Sequence, residues 1–159
     1  MKKEFWIGLV AGFLIAILLI GVAGYMAAPS VMIQEDLSQL GFEETVQAIQ
    51  DSAAGQDWKV PTVHHIDSSV ESAGYDVLPV AAIKLCQPDH AGRILEEDEA
   101  KIVTSMMPCR VSVYETGDGD VVISRMNSGL ISKIFGGTVA EVMTQASAEN
   151  EVILAPLFQ

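Results

Sequence analysis

The chain has 159 residues, a formal net charge of −12 and two cysteines. No basic stripe is present that could neutralise phosphates, so the composition argues against nucleic acid as a partner. The acidic excess lies almost wholly beyond Ser30, as expected of a solvated domain or of a surface that docks to a basic partner.

The first predicted element is a membrane-spanning helix. A charge-free apolar run extends from Phe5 to Ser30, and about 20 apolar residues suffice to cross a bilayer. Lys2 and Lys3 precede the run, so the positive-inside rule places the N-terminus in the cytoplasm and the domain in the periplasm or outside the cell. A cleaved signal peptide is the alternative, although its apolar region is normally shorter. We therefore predict residues 1–30 as an anchor in the cytoplasmic membrane.

After this anchor, residues 31–41 are predicted as a tether or a first strand, and residues 42–159 as one small domain that can bury its own core. Residues 42–54 are predicted as a helix, because apolar residues recur at helical spacing and acidic residues occupy the first turn. Residues 58–66 alternate as a strand, which Pro61 places at an edge or a bulge. A short helix then extends to Ala73.

The second half of the domain is predicted to contain a strand, a helix, a hairpin and a longer helix. The strand covers residues 80–85, and Pro88 begins a helix that continues to Ala100. Residues 109–115 and 120–125 alternate on either side of Thr116-Gly117-Asp118-Gly119, which is expected to form a two-residue type I′ turn. A helix follows over residues 130–148. This order predicts an α+β two-layer sandwich, a mainly antiparallel sheet with helices on one face, preceded by one transmembrane helix.

The densest group of reactive side chains surrounds the two cysteines. Cys86 closes one predicted strand and Cys109 begins the next; His90 follows Cys86, and Met107 precedes Cys109. These side chains converge if the two strands are antiparallel neighbours. Thiolate, imidazole and thioether suit copper, zinc or haem iron. Cys86, His90, Met107 and Cys109 are therefore the candidate ligands of a metal ion, a haem or a small molecule.

Three functions follow from this cluster. The leading one is an accessory domain that binds a metal, a haem or a small ligand. Alternatively, Cys86 and Cys109 carry out thiol redox chemistry, or they form an inert disulfide in a structural interaction module, since outside the cytoplasm a cysteine pair is most simply bonded. His65 and Arg110 are secondary candidates. No catalytic residue is predicted, because no nucleophile, nucleotide or dinucleotide motif occurs in the sequence.

Several motifs resemble the domain-of-unknown-function family three-hundred-and-two of bacteria and archaea. They are Phe42-Glu43-Glu44-Thr45, His65-Ile66-Asp67, Leu85-Cys86-Gln87-Pro88, Met107-Pro108-Cys109-Arg110-Val111, Val113-Tyr114-Glu115 and Asp118-Gly119-Asp120-Val121. Many members have asparagine at the position of Gln87, leucine at that of Met107 and no cysteine at that of Cys109, so the chain resembles a cysteine-bearing branch.

The resemblance implies a compact α/β domain that often self-associates and has no established reaction. It also implies an association with respiratory or sulfur metabolism. The expected partners are therefore the membrane, a membrane-bound respiratory or sulfur-metabolism protein, or a second copy of the chain. A homodimer is also consistent with Gly8 and Gly12, whose spacing lets membrane helices pack closely.

Overall fold

The computed structural model of the protein describes residues 2–107 and 109–159. Met1 and Pro108 lie outside the described residues. The centre of the Met107-Pro108-Cys109 motif is therefore not described. The chain forms two compact units, Met1–Met32 and Ile33–Gln159. The first unit holds one helix, and the second is the folded domain.

Helix α1 (Lys2–Met32) is long and apolar enough to span a membrane over Trp6–Met32. An N-terminal signal sequence would pass the same test of length and composition, so the helix is a candidate span. The helix extends to Met32, beyond the predicted end of the anchor at Ser30, with Pro29 inside its last turn. A proline removes one bond to the carbonyl four residues earlier, and the neighbouring bonds carry the helix to Met32.

The domain is built on a five-stranded antiparallel sheet. In chain order the strands are β1 (Ile33–Leu37), β2 (Lys59–His65), β3 (Val80–Cys86), β4 (Cys109–Glu115) and β5 (Val121–Met126). Across the sheet the order is β1-β5-β4-β3-β2. The predicted α+β class is confirmed. The segment predicted as a tether or a first strand contains β1, and β2 is an edge strand whose register shifts around Pro61, as predicted.

The remaining elements are helical. They are α2 (Phe42–Gly55), α3 (Ile66–Glu71), α4 (Pro88–Leu95), α5 (Ser128–Ile131) and α6 (Gly137–Leu154), with short 3-10 helices at Ala100–Met106, Ser132–Ile134 and Ala155–Leu157. Side chains of α2 and α6 such as Ile49 and Ile153 pack against the inward-facing Ile83, Val113 and Ile123 of the sheet. Strand alternation places every second residue on this face, so the main core lies between the sheet and these two helices.

Two predicted helices have different bounds in the structure. Helix α4 ends at Leu95 and does not continue to Ala100, because four consecutive acidic residues follow and negative charge is unfavourable at a helix C-terminus. The long C-terminal helix is interrupted at Gly136, whose φ of 70° lies in the left-handed region. Beyond that break α6 extends further than predicted, to Leu154.

The hairpin between β4 and β5 is confirmed, but its turn is not of type I′. The Gly119 amide donates to the Thr116 carbonyl over 3.0 Å, and the Thr116 amide donates to the Asp120 carbonyl over 2.9 Å. Gly119 has a φ of 87°, whereas Asp118 and Gly117 have negative φ angles. This pattern is a type I turn followed by a left-handed glycine, the common three-residue hairpin loop.

Replacing Gly119 by valine is expected to destabilise the domain by about 1–3 kcal/mol, because a β-branched residue is strained at positive φ. A Cβ at Gly119 would meet no atom within 4 Å, so the cost is backbone strain alone. Gly117 is the matched control, because it is equally open but has an ordinary φ. Chemical denaturation of both valine variants measures the difference, and equal losses at the two positions would contradict the explanation.

Candidate functional site

The structure places both cysteines at the same end of the sheet. Strands β3 and β4 are antiparallel neighbours, with Leu85 opposite Cys109, so Cys86 lies one residue beyond that pair. Cross-strand spacing and residue rise put the two cysteine Cα atoms about 6 Å apart, within disulfide reach. The cysteines are nevertheless not bonded to each other. Because Leu85 is the residue directly opposite Cys109, the two cysteines do not form a facing cross-strand pair.

Two cavities meet the cysteine end of the sheet, and they share Cys109 and Met143 in their walls. The smaller, of about 30 Å³, is also lined by Cys86, His90 and Met107. The structure therefore gathers all four predicted ligand residues around one cavity. Within residues 2–107 and 109–159, however, no group of three or more His, Cys, Asp or Glu side chains is arranged to hold a metal ion.

The larger cavity, of about 120 Å³, lies on the other side of Cys109. Its wall includes Met106, Met126 and Asn150. A cavity needs roughly 10–15 Å³ on this measure to hold one water molecule. The two spaces therefore suit a few waters, an ion or a small molecule.

The Cys109 thiol is shielded from water and faces an amide. Burial raises the pKa of this thiol, the Asn150 side chain beside it acts in the opposite direction, and the neighbouring Cys86 adds to the rise. Asn150 is only 8% exposed, and its Oδ1 has no hydrogen-bond partner among the described residues. A buried acceptor without a partner is uncommon, and in a cavity wall it marks a place for a ligand or a water.

His90 is held at the smaller cavity by α6 and by the start of β2. Its Nε2 lies 2.9 Å from Oε2 of Glu149, and Trp58 Nε1 donates to the same oxygen over 3.1 Å. The His90 and Trp58 rings meet edge to face at 5.9 Å. A histidine fixed by a carboxylate through one ring nitrogen is the usual arrangement of metal-binding histidines.

Glu149 makes this arrangement sensitive to acid. Burial by itself raises the pKa of Glu149, but hydrogen bonds from His90, Gln145 and Trp58, with the charge of His90, lower it below the ordinary 4.5. A carboxylate whose pKa is lowered by folding stabilises the protein at pH values above its ordinary pKa. That stability is lost as the pH falls through the folded-state pKa.

Glu149→Gln is therefore expected to lower the melting temperature by about 2–5 °C at neutral pH and by less near ~pH 3. Thermal melts followed by circular dichroism across this range measure the difference. Glu141→Gln is the control, because Glu141 is mostly exposed in its pair with Arg93. A difference that stays constant down to pH 3 would contradict the assigned role of the carboxylate.

Arg125 forms part of the wall of the larger cavity. Its guanidinium binds both carboxylate oxygens of Glu151 over 2.6–2.7 Å and Asp36 over 2.6 Å. It also lies 4.8 Å from the centre of the Phe158 ring. The pKa of Arg125 is raised, because these carboxylates outweigh the effect of burial, which acts in the opposite direction. This cation therefore joins β1, β5 and α6 at the cavity.

The model of the family described as Domain of unknown function DUF302 matches residues 33–155. The chain belongs to this family. A crystal structure of the uncharacterized conserved protein DUF302 from Bacillus stearothermophilus has the same fold, with a TM-score of 0.71 and 18% sequence identity. The match covers 79% of this chain and 98% of that one. No curated protein matches the chain.

Two residues predicted as secondary candidates contribute differently to this DUF302 domain. His65 pairs with Ala81, five residues along β3 from Cys86 and so about 16 Å away; its ring contacts Phe42. It does not join the cluster. Arg110 follows Cys109 in β4 and borders the larger cavity. Because strand neighbours alternate, the Arg110 side chain extends towards the face of the sheet opposite to that of Cys109.

Several site residues of the DUF302 domain were not predicted from the sequence. These are Trp58, Arg125, Met126, Met143, Glu149, Asn150 and Glu151. The only available signal was the helical spacing of Met143, Asn150 and the residues between them, which puts these two on one face of α6. Nothing local indicates that this face meets the strand end that carries Cys109.

Proposed function

We propose that this protein is a membrane-anchored accessory protein whose domain binds a metal ion or a small ligand in the cavities around Cys109. One observation carries the proposal: Cys86, His90, Met107 and Cys109, which come from two separate stretches of the chain, line the same cavity. The carboxylate on His90 and the unpaired oxygen of Asn150 add support, because both are typical of a prepared binding site.

The size of the cavities limits what this site would hold. The larger cavity has a volume of about 120 Å³ and the smaller one about 30 Å³, whereas pockets for drug-sized ligands measure about 300–1,000 Å³. A haem does not fit these spaces. A metal ion or a ligand of a few non-hydrogen atoms matches their volume.

Thiol redox chemistry is the second candidate, because Cys86 is close enough to Cys109 to raise its pKa. A redox-active pair would exchange electrons and protons with a disulfide of a partner protein, and the attacking sulfur must be a thiolate. Burial raises the pKa of Cys109, which lowers the fraction of thiolate that thiol exchange needs. A metal ion must displace the same proton when it binds, so the raised pKa does not decide between the two functions.

The proposal also assigns the protein to the cytoplasmic membrane, with its domain on the outer side. The support is the candidate span at Trp6–Met32 and the two lysines that precede it. The intact mass of the membrane-extracted protein is expected to include the N-terminal segment. A mature N-terminus near Ala28 or Pro29 would instead identify the segment as a cleaved signal peptide.

The binding proposal is tested on the full chain, purified in mild detergent from its native membrane. Its absorption spectrum, metal content and free-thiol count are recorded together. We expect a substoichiometric or full complement of a bound metal or small ligand, and two free thiols after unfolding. Cys109→Ser and His90→Ala are each expected to lower occupancy about 10-fold or more, in line with losses seen when ligands or their partners are removed.

Lys101→Met is a control, because Lys101 lies on the surface away from both cavities and pairs with the exposed Asp98. Occupancy that is unchanged in Cys109→Ser would refute the proposed site. Fewer than two free thiols in the unfolded, unreduced protein, with no ligand present, would instead favour the disulfide or the redox alternative.

A further inference from the structure

All sulfur-containing side chains of the domain Ile33–Gln159 line one or both of the two cavities. They are Cys86, Cys109, Met106, Met107, Met126 and Met143. They come from β3, the 3-10 helix before β4 and the residue that follows it, β4 itself, β5 and α6. Among the residues that the structure describes, the main core between the sheet and α2 contains no buried methionine. Met143 belongs to a second apolar cluster with Ile94, Val103 and Val142, against which Met106 and Met107 pack. The fold thus concentrates sulfur at one end of the domain, where the methionines also contribute apolar packing.

Apart from the sulfur atoms and the His90 imidazole, the walls offer few metal ligands. Glu151 is the one carboxylate among the described lining residues, and both of its oxygens are bound to Arg125. Zinc requires about four thiolate, imidazole or carboxylate ligands, and the described part of the chain offers no such group of even three. Thiolates suit several soft metal ions. A site that adds thioethers to a thiolate favours monovalent copper among them.

A second observation points to a ligand at the same place. Asn150 is 92% buried, since 8% of it is exposed, and lies in the wall of the larger cavity. Its side chain is within hydrogen-bonding reach of Cys109, while its Oδ1 lacks a partner among the described residues. An amide that donates to a cysteine sulfur stabilises and orients that sulfur as a metal ligand.

We infer that this site binds one monovalent copper ion through sulfur, with Cys109 and Met143 as its central ligands. These two residues form the shared wall of both cavities, and Met106 and Met107 line one cavity each. The Cys109 thiol releases its proton to solvent as the sulfur–copper bond forms, and copper keeps its oxidation state. The inference rests on the proposed function and specifies the ligand of that site.

The test uses the full chain in detergent, without oxygen, titrated with copper(I) supplied as its acetonitrile complex. Competition with the coloured chelator bathocuproine disulfonate measures stoichiometry and affinity. We expect one copper(I) per chain, about 100-fold weaker binding in Cys109→Ser and about 10-fold weaker binding in Met143→Leu. Met26→Leu is the matched control, because Met26 lies in α1, outside the domain, and its loss is expected to leave the affinity unchanged.

Thermal melts establish that each variant is folded. If Met143→Leu does not fold, the partly exposed Met106 and Met107 replace it in a Met106→Leu/Met107→Leu double variant. Copper binding that is equal in Cys109→Ser, the methionine variants and the parent would overturn the inference. If the protein does not take copper(I) from the chelator, but zinc or a copurified small molecule binds in a Cys109-dependent manner, the copper inference fails and the proposed function stands. If nothing binds in a Cys109-dependent manner, both fail.

Discussion

Replacing Trp58 by alanine is expected to destabilise the domain by about 3–5 kcal/mol. Trp58 is 4% exposed, packs in the main core and lines the smaller cavity. Its removal enlarges that cavity, takes away the edge contact with His90 and deprives Glu149 of a donor. Small domains have a free energy of unfolding of about 5–15 kcal/mol. This single change is therefore expected to bring the protein close to its stability limit.

Trp58→Phe separates packing from hydrogen bonding. Phenylalanine keeps most of the ring volume but donates no hydrogen bond to Glu149, whose partly exposed carboxylate can take a water instead. We expect this variant to lose only about 1–2 kcal/mol. Urea denaturation followed by circular dichroism measures both variants. Equal losses in alanine and phenylalanine would show that the hydrogen bond, and not the packing of the ring, stabilises this end of the domain.

Replacing Arg125 by leucine is expected to cost about 2–4 kcal/mol, less than the full penalty for breaking a buried ion pair. The guanidinium is buried, at 8% exposure for the residue, and makes three charge-assisted hydrogen bonds. Its partners Asp36 and Glu151 are 41% exposed, so water solvates part of the charge that the substitution leaves unpaired. Leucine also forfeits the contact with the Phe158 ring.

The effect of this substitution should be uneven across the domain. Asp36 lies on the edge strand β1, which pairs with β5 alone, so hydrogen exchange of the β1 amides is expected to accelerate more than that of β3 or β4. Arg93→Leu is the control, because Arg93 and Glu141 form a pair at the surface worth about 0–1 kcal/mol. A loss in Arg125→Leu no larger than in Arg93→Leu would contradict the role assigned to the buried cation.

Much of the fold could be predicted because its elements carry local patterns. The alternation of residues 109–115 and 120–125 around a glycine-rich turn predicts the hairpin, and apolar spacing predicts α2. The predictions failed where interactions between neighbouring charges or backbone angles decide the outcome. The acidic run after Leu95 shortens α4, and a negative φ at Gly117 and Asp118 gives a type I turn in place of type I′.

By itself, the sequence determined the apolar N-terminal helix, the order of strands and helices, and the placement of Cys86 and Cys109 at consecutive strand ends. These depend on residues close together in the chain. Only the tertiary structure decided that the end of β3 and the start of β4 meet α6, which brings Met143, Glu149 and Asn150 to the cysteines. The physical reason is that burial of the apolar face of α6 against the sheet sets this alignment, and that packing joins residues far apart in the sequence.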